Sequence, residues 1–141
     1  MTETPETPEA KVVREMQDAA SRRDSERLRQ YFHPDVELIV PSTRPEPGVY
    51  RGHQEFFRWM SWWYQELFDS FQVELLGLSQ FDEIIVAEYR IHGTGRLSGV
   101  EVTEVNASVF TVRDGLIVRV YAAGTVEEGL EVAKREAAAS T

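Results

Sequence analysis

Glu104, Asn106 and Ser108 stand at every second position of one apolar stretch, Val100 to Val112. If that stretch is a strand, its side chains alternate faces. The three then form a row on one face with Val102, Phe110 and Val112, while Thr103, Val105, Ala107, Val109 and Thr111 take the other. A carboxylate in such a row can take or give a proton. The carboxamide and hydroxyl beside it can hydrogen-bond a substrate carbonyl, and so can the phenol of Tyr89 on the preceding stretch. The histidines offer less. His33, His53 and His92 lack ligand spacing such as H-x-x-x-H, so no metal site is expected. The chain has no cysteine, which excludes thiolate catalysis and disulfides. No glycine-rich loop joins a strand to a helix: Gly93 to Gly99 falls in a hairpin, so no cofactor is indicated.

Several elements must position these groups. A first helix is expected from about Glu9 to Arg22, with Val12, Val13, Met16, Ala19 and Ala20 at helical spacing. Asp24 suits the N-cap of a short second helix that buries Leu28, Tyr31 and Phe32 and stops at Pro34. Asp35 to Val40 alternates as a strand. Pro41 to Gly48 carries three prolines and reads as a loop suited to a pocket rim, where Arg44 could receive an anionic group. A third helix is expected from about Gly52 to Phe68. Phe56, Trp59, Met60, Trp63 and Leu67 form its apolar stripe, and Phe57, Trp62, Tyr64 and Phe68 widen it past half the circumference. A helix this apolar must be covered on more than one side.

The second half reads as strands: Phe71 to Ser79, Glu83 to His92, Val100 to Val112 and Leu116 to Ala123. Asp114-Gly115 marks the last hairpin. Thr125 to Glu128 is a capping box opening a final helix that buries Val126 and Leu130. This order predicts an α+β domain, a curved antiparallel sheet with helices on one face. A curved sheet over helices makes a cone with a mouth.

The length of 141 residues allows one domain, placed at 9–137 behind a polar leader, 1–8, read as disordered. A formal net charge of -9 supplies no basic face for nucleic acid or for an anionic membrane. No signal peptide and no apolar run near 20 residues is found, so the expected location is the cytoplasm.

Three stretches carry a likeness to a known family: Val12 through Asp24 to Phe32, Val49-Tyr50-Arg51-Gly52 with Phe56, and Val109-Phe110-Thr111-Val112-Arg113-Asp114-Gly115-Leu116-Ile117-Val118-Arg119-Val120. In them the chain resembles the nuclear transport factor 2-like superfamily, more narrowly its SnoaL-like polyketide cyclase and ketosteroid isomerase branch. The resemblance implies a cone-shaped α+β barrel, its curved antiparallel sheet wrapped around N-terminal helices. Ketosteroid isomerases place a tyrosine donor, an aspartate base and a protonated aspartate where this chain has Met16, Val40 and Ser108, so that catalytic set is absent. SnoaL-type cyclases use an acid late in the last strand, and Val120 to Gly124 holds none. The Asp-Arg-Asp arrangement of limonene-type epoxide hydrolases cannot be assembled from inward positions either.

Lined up with the family, Ile85, Ala87, Tyr89 and Ile91 point inward, and so do Glu104, Asn106 and Ser108. Glu104, Asn106 and Tyr89 are then the candidate catalytic residues. Trp59, Trp63, Tyr31, Ser108, Phe110, Met16 and Val40 are the candidate substrate-binding residues. Beside apolar walls the ionised Glu104 would be desolvated. The convex face would present Glu88, Arg90 and His92 beside Val105, Ala107, Val109, Arg119 and Tyr121, which predicts a homodimer packed sheet to sheet, as the family commonly forms. Two functions follow. One is a SnoaL-like enzyme using acid–base chemistry on a hydrophobic polyketide-, steroid- or terpenoid-like substrate. The other is a non-catalytic ligand-binding or protein-interaction module on the same fold.

Overall fold

The computed structural model describes residues 6–62 and 68–139. The first helix, α1, spans Pro8–Ser21. Its start is set by local chemistry: Pro8 has no N–H to lose, and Thr7 accepts from the Ala10 N–H at 3.1 Å. Its end is a Schellman turn. Arg23 takes φ 55, its N–H reaches the Ala20 carbonyl at 3.1 Å, and the Asp24 N–H reaches that of Ala19 at 3.0 Å. Asp24 then caps α2, Ser25–Arg29, by accepting from the Arg27 N–H at 3.2 Å. The expected cap is thus observed. The helix behind it is shorter than expected, because Phe32 already belongs to a strand.

That strand is β1, Phe32–Val40. A four-residue β2, Gly48–Arg51, follows the proline-rich loop and leads into α3, Gly52–Ser61. The meander comprises β3 (Phe68–Phe81), β4 (Ile84–Gly95), β5 (Glu101–Arg113) and β6 (Leu116–Ala123), and α4 (Val126–Ala139) closes the chain. Phe68, expected at the end of the third helix, therefore starts a strand. Asp114 and Gly115 both take positive φ, 52 and 78, as a type I′ hairpin requires. The Thr125 hydroxyl accepts from the Glu128 N–H at 3.1 Å and caps α4 as expected.

The six strands form one sheet in the order β2-β1-β6-β5-β4-β3. It is not antiparallel throughout. β1 pairs with β6 in parallel, because β6 returns beside β1 after the whole meander and runs in its direction. Register shifts interrupt β1, β3 and the β5–β6 ladder, the irregularities that let a sheet bend. The curved sheet stays unclosed, with β2 and β3 at its edges.

Both faces of the sheet are covered, which corrects the expectation of helices on one face. On the concave side Val13, Met16 and Phe56 pack among Leu38, Ile85, Ala87 and Phe110. On the convex side Val132 and Ala133 of α4 bury Ile84, Val86, Ala107, Val109 and Ala123. Gly129 allows this close approach: a Cβ there would meet the Ala107 Cβ at 3.2 Å and the Val86 Cγ1 at 3.4 Å. Ala107, Val109 and Tyr121, which had suggested a face for a second subunit, are thus covered by the chain's own last helix. Val105 and Leu76 remain exposed on the sheet, at 43% and 37%. Among the described residues no helix is long and apolar enough to cross a membrane.

Candidate functional site

The concave face encloses a cavity of about 120 Å³. Helices α1 and α3 and the strands of the sheet build its walls. Along α1, Val13, Met16, Gln17 and Ala20 follow the i, i+3, i+4, i+7 rule, and the last three line the cavity. Phe56, Trp59 and Met60 of α3 face them. The rings of Phe32 and Phe56, with centroids 4.6 Å apart, fix the angle of α3 against β1. β4 supplies Tyr89 and Ile91, and β5 supplies Asn106, Ser108 and Phe110.

The alternation read from the sequence holds. Tyr89 lies opposite Asn106, and Ala87 opposite Ser108, in an uninterrupted antiparallel register. Asn106 is 6% exposed and turns its carboxamide to the cavity. Among the described residues neither Asn106 nor Ser108 makes a side-chain hydrogen bond.

Arg44 is the charged residue in the lining among those described. The loop after β1 carries it over the cavity. The Arg44 N–H bonds the Pro41 carbonyl at 3.0 Å, and the Tyr50 hydroxyl donates to the Glu46 carbonyl at 2.7 Å. Tyr50 in turn lies 6.4 Å from Trp59, ring centre to ring centre. Burial, and then the charge of Glu46, push the Tyr50 phenol above its ordinary pKa. The arginine stem passes close to Gly124, where a Cβ would make an ordinary 3.5 Å contact with the Arg44 Cδ. At its tip Arg44 Nη1 donates to Glu104 Oε1 at 2.6 Å, with side chains 12% and 34% exposed.

Of the expected site residues, Met16, Trp59, Tyr89, Asn106, Ser108 and Phe110 line this cavity. Glu104 lies on the same parity one step toward the mouth. It meets the cavity through Arg44 and not as a lone carboxylate against apolar walls. Arg44 is correspondingly mostly buried and paired. Two expected wall residues are elsewhere. Tyr31 follows α2 and its hydroxyl accepts from Arg27 Nε at 3.3 Å, while Val40 is buried at the end of β1 outside the lining. Trp63 lies outside the described residues. Gln17 was missed. Its place on the apolar stripe of the first helix is a readable signal, overlooked because the residue is polar.

The sequence signature of the SnoaL-like domain matches residues 13–120. The chain belongs to the SnoaL-like domain family. Solved structures with the same fold agree. An NTF2-like protein of unknown function from Burkholderia pseudomallei is 19% identical, with a TM-score of 0.75 over 89% of this chain and 97% of that one. TerC, co-crystallised with polyporic acid, is 18% identical, with a TM-score of 0.73 over 91% and 99%. A Jannaschia protein designated a SnoaL-like polyketide cyclase is 18% identical, with a TM-score of 0.72 over 86% and 88%. A comparison with curated proteins finds no match.

Proposed function

We propose that this SnoaL-like domain holds a small hydrophobic molecule of the polyketide, steroid or terpenoid kind in its cone and performs acid–base chemistry on it. The observation that carries the reading is Asn106, a buried carboxamide facing an apolar cavity with no partner among the described residues. Its unmet hydrogen bonds suit a ligand carbonyl or hydroxyl, with Tyr89 and Ser108 beside it. Glu104 serves as the base. The Arg44 guanidinium orients it by donating to its Oε1 at 2.6 Å. Similarity in fold to TerC, which was co-crystallised with polyporic acid, is consistent with this use.

Binding without chemistry is the second reading, and the same ion pair favours it. Glu104 is engaged by Arg44 at 2.6 Å and stands outside the cavity lining. One experiment separates the two. The protein is incubated with polyketide-, steroid- and terpenoid-like compounds, thermal shift identifies those that bind, and chromatography identifies what is recovered. A ligand at 100 times its dissociation constant raises stability by about 2.7 kcal/mol. A converted compound, with conversion lost in Glu104→Gln, supports catalysis; unchanged compound supports binding alone. The homodimer belongs to the same proposal, using the part of the convex face near Val105 and Leu76 that α4 leaves open. Light scattering at micromolar concentration tests it, and a strict monomer refutes it.

A further inference from the structure

Ligand pockets for drug-sized molecules usually enclose roughly 300–1,000 Å³, and an apolar cavity of about 150 Å³ takes one benzene. The space here is about 120 Å³. It takes one ring inside, and the rest of a larger ligand would extend through the open side. Its chemistry is as restricted as its size. Arg44 is the charged group in the described lining, and its guanidinium is already held by Glu104 at 2.6 Å. A carboxylate ligand would have to displace Glu104, leaving one buried anion to be exchanged for another. A cationic ligand would meet Arg44 with no free carboxylate beside it. Asn106, 6% exposed, is a polar residue of the lining whose carboxamide has no hydrogen-bond partner among the described residues.

We propose, building on the pocket reading above, that the cavity selects a neutral ring bearing a carbonyl or hydroxyl oxygen, alone or as the inserted end of a larger ligand. Asn106 anchors that oxygen, and Glu104 excludes anions by occupying Arg44. Glu104 is then a specificity residue acting through Arg44, whether or not it also moves a proton.

Four probes test this by calorimetric titration of the full chain. Phenol against benzene isolates the oxygen. Benzamide against benzoate isolates the charge at nearly constant shape. One hydrogen bond is worth about 1 kcal/mol, so wild-type protein should bind phenol about fivefold tighter than benzene. Asn106→Leu, similar in shape, should bring the two within about twofold by removing that bond. The wild type should prefer benzamide to benzoate by at least about tenfold, given the cost of an imperfectly paired buried charge. Glu104→Gln should reverse the preference by removing the carboxylate that holds Arg44 Nη1, and Arg44→Gln combined with Glu104→Gln should abolish benzoate binding again. Circular dichroism confirms that each variant is folded. Should Glu104→Gln not fold, Arg44→Gln alone replaces it and must still bind benzamide and exclude benzoate. Equal binding of benzoate and benzamide by the wild type overturns the inference, as does a phenol preference that survives Asn106→Leu. Binding of probes without these two preferences refutes the selectivity and leaves the pocket standing. No binding of any probe refutes the pocket, and the inference with it.

Discussion

Breaking the Arg44–Glu104 pair should cost stability in a way that depends on which partner is removed. The atoms are 2.6 Å apart, with side chains 12% and 34% exposed. Fully exposed pairs are worth roughly 0.2–1 kcal/mol, whereas removing one partner of a buried pair costs roughly 3–5 kcal/mol. This pair lies between, and the arginine is the better buried of the two. Glu104→Gln, which removes the carboxylate from the better buried guanidinium, should therefore cost about 2 kcal/mol. Arg44→Gln strands the more exposed carboxylate and should cost about 1 kcal/mol. Because each single change removes the same interaction, the double variant should lose about 1 kcal/mol less than the sum of the singles. Urea denaturation reads this directly. With an m-value of roughly 2 kcal/mol/M, Glu104→Gln should lower the midpoint by about 1 M. Additivity of the two changes to within about 0.5 kcal/mol would refute the reasoning, because independent sites behave that way.

Other consequences follow from single contacts. Gly129→Val should lower stability by about 1–3 kcal/mol, because the new side chain meets Ala107 and Val86 and lifts α4 off the sheet; an unchanged melting temperature contradicts that packing. Tyr121 is held above the ordinary tyrosine value of 10.0, first by burial and then by donating to Glu128 at 2.9 Å. The native state thus keeps this proton more firmly than the unfolded chain. The stabilisation is full below about pH 10 and is lost as pH rises through the folded value. Tyr121→Phe should flatten that alkaline fall, and parallel falls in variant and wild type would count against it. Asp18 is held below 3.8 by hydrogen bonds from Arg27 and then Arg22. Its contribution is present above that value and disappears as pH falls through the lower folded one, so Asp18→Asn should weaken the acid dependence of urea midpoints. An identical acid profile would show that these contacts do not form in solution.

Elements with local causes were legible in the sequence. The last hairpin announces itself through Asp114-Gly115, and the start of α4 through Thr125 and Glu128. The inward row on β5 was readable because alternation fixes two faces and the family resemblance chooses between them. β2 was not, since four residues at a sheet edge leave no periodic signal. The place of α4 was hidden for a different reason. A helix that packs through Gly129 and Ala133 shows little apolar periodicity, and its partners Val86 and Val109 looked equally suited to a second subunit. The Arg44–Glu104 pair joins residues 60 positions apart, and nothing local to either one specifies the other.

Because the chain has no cysteine, single cysteines can report on the two faces of β5 without interference. Ser108→Cys would lie in the cavity and Val105→Cys on the opposite, 43% exposed face. The structure predicts slow reaction of Ser108→Cys with a bulky thiol reagent, slowed further by phenol, and fast reaction of Val105→Cys that phenol does not alter. Equal labelling of the two, indifferent to phenol, would contradict a ligand pocket on this face.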